Sequence, residues 1–218
     1  MKVETDGAPF LSVVVPAYNE EHRIQDSLQE IAGFFDEKDY TCEVLVVDDG
    51  SSDRTAEICR AFCAEHTGFS LLSYEPNRGK GHAVKTGILA SKGQNVLFCD
   101  ADLATPMQEL DNFWAILDAG ADVVIASRPL KESHLVKHQP IHREMAGRAF
   151  NLAVQILAVR GIHDTQCGFK LFRRKAADSI FPHCKLDGFS FDIEVLFIAQ
   201  RLGLRIVEAP VHWYHREG

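Results

Sequence analysis

The chain has 218 residues, a net charge of -8, and 46% hydrophobic against 25% charged residues. That length suits one compact domain with a sizeable core, and the composition is ordinary for a soluble globular protein. The acidic balance argues against general nucleic-acid binding, which needs a basic excess or patch; residues 1–10 lack the apolar stretch of a signal peptide, and no run reaches the ~18 apolar residues of a spanning helix.

A first strand is predicted over residues 11–15, stopped by Pro16, which lacks a ladder donor. Ala17-Tyr18-Asn19-Glu20-Glu21 leads into a helix with Ile24, Leu28, Ile31 and Phe35 on one face, Asn19 as its N-cap and acids in its first turn. A second strand, 44–47, ends on Asp48-Asp49-Gly50-Ser51-Ser52-Asp53, and the next helix carries Ile58 and Phe62. Cys59, Cys63 and His66 share helical spacing, which for cysteine reads as a buried face rather than a metal site. The six scattered cysteines are expected to be reduced thiols, and the ten histidines form no metal pattern.

After a short apolar run, 69–72, Pro76-Asn77-Arg78-Gly79-Lys80-Gly81 opens a helix through Val84, Ile88 and Leu89. Its glycines and cations lack the spacing of a phosphate-cradling P-loop, yet Lys80 is a candidate phosphate contact. Residues 96–99 read as a buried strand that delivers Asp100-Ala101-Asp102. Residues i and i+2 of an extended chain point the same way, so the two carboxylates can converge. Hard oxygen ligands there suit Mg²⁺ or Mn²⁺, with substrate phosphate completing the shell. Thr105-Pro106-Met107-Gln108 matches a capping box with Pro at the first helical position. A further strand, 123–126, ends on Ser127-Arg128-Pro129.

Near-continuous Val/Ile/Leu strands alternating with amphipathic helices predict an α/β fold, a single Rossmann-like domain whose mostly parallel sheet is covered on both faces. Ligands gather outside the carboxyl ends of such strands. Four of those ends carry Pro16, Tyr18 and Glu20; Asp48 and Asp49; Asp100 and Asp102; and Arg128. Chemical groups therefore collect on one edge. No G-x-G-x-x-G follows the first strand and no G-x-S-x-G elbow is present, which argues against a dinucleotide-dependent oxidoreductase and an α/β hydrolase.

The ordered series VVVPAYNEE, VVDDGSSDRT, NRGKGHAV, FCDADLAT and ASR resembles family 2 glycosyltransferases of the GT-A fold. Asp164-Thr165-Gln166-Cys167-Gly168-Phe169-Lys170 and Phe191-Asp192-Ile193-Glu194 resemble the branch that glycosylates polyprenyl phosphates, glucosyltransferases first and mannosyltransferases next. The resemblance implies one glycosyltransferase domain over 1–218: an extension at 1–10, a nucleotide-sugar and metal half at 11–128, and an acceptor half at 129–218. It implies that Pro16, Tyr18, Glu20 and one or both of Asp48 and Asp49 hold the nucleoside. Asp100 and Asp102 anchor the metal-bound diphosphate, with Lys80 nearby, and Arg128 neutralises phosphate at the reacting centre. Asp102 and Arg128 are the first choices for catalytic residues. Mannosyltransferase relatives often place Gln two residues after the second aspartate as a metal ligand; Ala104 stands here instead.

In the acceptor half, a helical pattern from 140 to 160 carries Arg143 and Arg148, which match positions that bind the lipid phosphate in relatives. A guanidinium fork recognises phosphate, and an apolar helix face can rest at a headgroup boundary. The basic run 170–175 reads either as a solvated strand edge or as a face for anionic lipid. Asp192 or Glu194 reads either as a sugar contact or as a structural carboxylate. The expected reaction moves a hexose, glucose from UDP-glucose or mannose from GDP-mannose, to dolichyl or another polyprenyl phosphate, with Mg²⁺ or Mn²⁺. The expected location is cytoplasmic, peripheral on the cytosolic face of a membrane; no nucleic-acid partner is expected, and the sequence leaves oligomeric state open. Two other readings are transfer to a glycan hydroxyl, with Asp164, Asp187 or Asp192 as base, and a nucleotide-binding module without chemistry.

Overall fold

The computed structural model describes residues 7–130, 133–135 and 159–214. The first half alternates strictly: β1 (Leu11–Ala17), α1 (Ile24–Asp36), β2 (Cys42–Asp48), α2 (Thr55–Glu65), β3 (Phe69–Ser73), α3 (Lys80–Ala90), β4 (Asn95–Cys99), α4 (Glu109–Asp118) and β5 (Val123–Ser127). There follow β6 (His134–Leu135), β7 (Phe169–Arg173), α5 (Arg174–Ile180), α6 (Phe191–Arg201), β8 (Ile206–Pro210) and β9 (His212–Trp213). The helical pattern around Arg143 and Arg148 lies outside the described residues, apart from its last two positions.

Seven strands form one sheet in the order β3-β2-β1-β4-β7-β5-β8, and β6 pairs with β9 separately. All neighbours in the large sheet are parallel except β7, which runs antiparallel between β4 and β5. Two apolar cores result, one on each face. Ile24, Leu28 and Ile31 of α1 and Leu110 and Phe113 of α4 pack on one side; Val84 and Ile88 of α3, Ile180 of α5 and Leu196 of α6 pack on the other. Strands buried on both faces need apolar residues at successive positions, which is why β1, β4 and β5 read as continuous runs.

Several local expectations are corrected. Pro16 does not stop β1; it pairs in register with Val47. Pairing with β4 ends at Val14, so Pro16 lies where β1 has only β2 beside it, a position that tolerates a missing donor. Asn19 is not the N-cap of α1, which begins five residues later at Ile24. It adopts φ 55°, a left-handed conformation that asparagine tolerates, and its Oδ1 accepts the Ser52 N–H at 2.8 Å. Nor is Thr105 a cap. Its hydroxyl is buried 3.6 Å from the Cys167 thiol, and α4 starts at Glu109 without a side-chain cap.

The basic run 170–175 is neither solvated edge nor lipid face. Lys170 is buried in the middle of the sheet, where it donates to the Cys167 carbonyl at 2.6 Å and pairs with buried Asp192. Arg173 donates to the carbonyls of Leu117 in the last turn of α4 and Ala121 beyond it, and Arg174 to the Gly93 carbonyl and Ser91 hydroxyl after α3. Cations at helix C-termini satisfy carbonyls that the helix leaves unpaired. Only Lys175 of the run is exposed.

Candidate active site

The loops that follow β1, β2 and β4 open onto a cavity of about 450 Å³. Pro16, Tyr18, Glu20, Asp49, Lys80, Asp100 and Asp102 all line it, so the structure gathers seven of the residues singled out from sequence. Four further ones stand apart. Asp48 is buried off the cavity, Arg128 does not line it, and Arg143 and Arg148 lie outside the described residues.

The acid pair converges, but not by strand alternation. β4 ends at Cys99, and Asp100 to Leu103 form a turn closed by the Leu103 N–H on the Asp100 carbonyl at 3.1 Å, with Leu103 at φ 46°. The Ala104 N–H holds one Asp102 oxygen at 2.9 Å, so Ala104 contributes its backbone where no ligand side chain exists. Behind Asp100 the chain comes unusually close. Asp100 donates its N–H to the Gly168 carbonyl at 3.0 Å, and a Cβ on Gly168 would fall onto the Asp100 carboxylate. Sequence reading placed Gly168 only inside a family motif; that it seats Asp100 is a tertiary fact.

Lys80 Nζ stands 2.6 Å from Asp100 Oδ1. Burial alone would lower the ammonium's pKa, but Asp100, with Asp192 and Asp102 further off, outweighs it and raises the pKa. Asp100 Oδ1 is nonetheless a buried atom without an aligned hydrogen bond. Two adjacent carboxylates with spare acceptor capacity beside a cavity fit a hard divalent cation. Among the described residues no group of three or more His, Cys, Asp or Glu side chains could hold a metal, so of these residues the cavity offers a cation the two acids. Glu20, further along the cavity, has its carboxyl pushed up by burial, against the opposing pull of Arg23, with Asp102 and Asp100 adding to the rise.

The second strand end builds walls. Asp49 accepts at both oxygens: from Tyr74 Oη and the Arg78 N–H at 2.8 and 2.9 Å, and from Asn77 Nδ2 and the Gly79 N–H, both at 2.8 Å. A carboxylate has about four lone-pair positions, and all are taken. Asp48 accepts from Ser73 Oγ at 2.8 Å and the Ser51 N–H at 3.2 Å. Of the two, Asp49 lines the cavity while all four of its acceptor positions shape the 74–79 loop, and Asp48 lies buried behind it. Sequence reading also missed the lacing between the first two loops: Asn19 to Ser51 and Ser52, the Glu20 N–H to Thr55, and the Glu21 N–H to Asp53. The polar cluster Ser51-Ser52-Asp53 was its only signal.

Arg128 follows β5 and is held from behind. Its Nε and Nη2 donate to buried Asp164 at 2.7 and 2.9 Å, and its guanidinium lies 5.6 Å from the Trp213 ring centre. Burial pushes the Asp164 carboxyl up, but Arg128 outweighs it and holds the carboxyl below its usual range. Arg128 is thus a fixed cation whose charge is already countered, with Nη1 its guanidinium nitrogen not donated to Asp164. Asp192 is tied to Lys170, and Glu194 accepts the Lys185 and Leu186 N–H groups, so both are structural carboxylates. On the Cys59, Cys63 and His66 face, His66 stacks on Phe62 at 3.8 Å and its Nδ1 faces the Phe62 carbonyl, and burial pushes the Cys59 thiol up to about 12.

The site is a cavity with paired carboxylates at the carboxyl edge of an α/β sheet, the edge where such folds bind their ligands. Residues 12–181 match the family described as Glycosyl transferase family 2, and the chain belongs to that family. It is 39% identical to the dolichyl-phosphate beta-glucosyltransferase of Dictyostelium discoideum over 96% of this chain and 68% of that protein. The human protein of the same name is 35% identical over 95% and 68%. In fold it is similar to glucosyl-3-phosphoglycerate synthase from Mycobacterium tuberculosis, solved with Mn²⁺ and UDP-glucose. That likeness has a TM-score of 0.70 at 22% identity and covers 96% of this chain and 72% of that one. The fold is therefore GT-A, and the protein is a hexosyltransferase. Among the described residues no helix is long and apolar enough to cross a membrane.

Proposed function

We propose that the protein transfers glucose from UDP-glucose to the phosphate of dolichol or another polyprenol, using Mg²⁺ or Mn²⁺ at Asp100 and Asp102. What supports this reading is the pair Asp100 and Asp102 lining one cavity, in a chain 39% identical to a protein named for that activity. A bound cation would supply charge stabilisation for the departing diphosphate. Pro16, Tyr18 and Glu20 line the nucleoside end, and Lys80 adds a cation next to Asp100.

A phosphate monoester has its second pKa near ~6, so the acceptor is already an anion at neutral pH and needs no general base. Two of the three candidate bases are committed elsewhere, Asp164 to Arg128 and Asp192 to Lys170; the third, Asp187, is exposed and faces His82 at 3.4 Å. The chain's work is to position the acceptor against the anomeric carbon, and one in-line displacement inverts that centre. Arg128 Nη1, with Arg143 and Arg148, is the proposed acceptor-phosphate contact. Such a lipid substrate requires action at a membrane surface, and we assign the protein to a cytosolic face.

The test is a screen of UDP-glucose and GDP-mannose against polyprenyl phosphate and soluble sugars, with Mn²⁺ or Mg²⁺, reading lipid-linked hexose. Glucose on the lipid is expected. Product only on soluble sugars would overturn the acceptor assignment, and product only from GDP-mannose the donor assignment.

A further inference from the structure

Phe189 lines the cavity with the acid pair, yet its side chain is 75% exposed. A single exposed aromatic is ordinary on a protein surface. This one is distinguished by how firmly its loop is held. The Lys185 and Leu186 N–H groups donate to the Glu194 carboxylate at 2.8 to 3.0 Å, and the Phe191 N–H donates to the Gly188 carbonyl at 3.1 Å. From the other side, the Gly81 and His82 N–H groups donate to the Asp187 carbonyl at 2.7 and 3.2 Å.

The glycines of the Gly79-Lys80-Gly81 turn serve this contact. A Cβ on Gly79 would lie 2.5 Å from the Asp187 carbonyl oxygen, and one on Gly81 would lie 2.5 Å from that of Leu186. The turn that brings Lys80 to the cavity is thus also a seat for the 185–190 loop, its Gly79 N–H spent on Asp49 and its Gly81 N–H on Asp187. A loop fixed at both ends, displaying a phenyl ring at the cavity that holds the acid pair, is built to meet a ligand.

Location selects the ligand. Lys80 Nζ is 6.0 Å from the Phe189 ring centre and 2.6 Å from Asp100 Oδ1, so the ring borders the acid-pair end of the cavity. The cavity's other exposed aromatic, Tyr18, comes from the β1–α1 loop with the nucleoside-side residues. In a nucleotide diphosphate sugar, the hexose is joined directly to the second phosphate. We infer that Phe189 is the platform on which the transferred hexose packs, an inference that rests on the donor reading above. A pyranose carries C–H bonds on its faces, and an aromatic face presents the negative side of its quadrupole to them.

Isothermal titration of the full chain in Mn²⁺ with UDP and with UDP-glucose, for the wild type, Phe189→Ala and Phe189→Trp, tests this. In Phe189→Ala the UDP-glucose Kd should rise about tenfold, the loss of roughly one aromatic contact. The Kd for UDP should stay within about twofold, and Phe189→Trp should keep wild-type affinity for both ligands. Equal loss for UDP and UDP-glucose, or no loss for either, would overturn the inference. Failure of the wild type to bind UDP at all would instead overturn the donor reading beneath it.

Discussion

Replacing Gly168 by alanine probes the seating of Asp100. The added Cβ would overlap all three atoms of the Asp100 carboxylate group. Ordinary contact needs about 3.5 Å, so either strand or side chain must yield by on the order of 1 Å. The strand is poorly placed to move, since β7 is paired on both sides and Phe169 and Leu171 are fully buried. The carboxylate therefore shifts, and Lys80 shifts with it. A misplacement of about 1 Å costs about 10²-fold in rate. Overpacking costs about 1–3 kcal/mol, or a few degrees of Tm at about 2–4 °C per kcal/mol for a chain of this length. Glucosyl transfer by Gly168→Ala should thus fall about 10²-fold, more metal should be needed for half-maximal rate, and the far-ultraviolet circular dichroism should match wild type. Turnover within about threefold of wild type, with an unchanged metal requirement, would refute the reasoning.

Asp164→Asn leaves the Arg128 cation facing a neutral amide, which should cost about 3 kcal/mol at neutral pH by thermal melting. Because the folded-state carboxyl is held below its usual value of 3.8, that stability is present above pH 3.8 and is lost as pH falls through the lowered value, so wild type and variant should converge in acid. Asp192→Asn strands buried Lys170 and should cost about 3–5 kcal/mol in a denaturant titration, whereas Lys170→Met combined with Asp192→Leu should cost far less than that single change. Asn19→Ala removes a bond to Ser52 and places alanine at φ 55°, costing about 1–3 kcal/mol. Its kinetic signature should be a raised KM for the nucleotide sugar with kcat little changed.

The fold was legible because strands covered on both faces must be apolar throughout, and β1, β2, β4 and β5 wrote that requirement into consecutive residues. Strand β7 was misread because its buried lysine is paired by Asp192, 22 residues away, and its flanking arginines by helix ends. No local pattern carries such pairings. The site's chemistry was legible as residue types at strand ends, but the division of labour was not. Asp49 and Asp102 look alike in sequence; four donors on the first and one backbone N–H on an oxygen of the second separate a carboxylate spent on a loop from one with spare acceptor capacity. Asn19 read as a helix cap, and a contact with a loop more than 30 residues away makes it a left-handed loop residue instead.

Turnover of UDP-glucose to lipid-linked glucose, measured for wild type and Asp102→Ala with Mn²⁺ and after chelation, bears on the acid pair itself. Wild type should make product only with the cation, and Asp102→Ala should make none while keeping the wild-type Tm measured without metal. Product from the variant at near-normal rate, or from wild type in excess chelator, would contradict the assignment of Asp100 and Asp102 as the metal-diphosphate site.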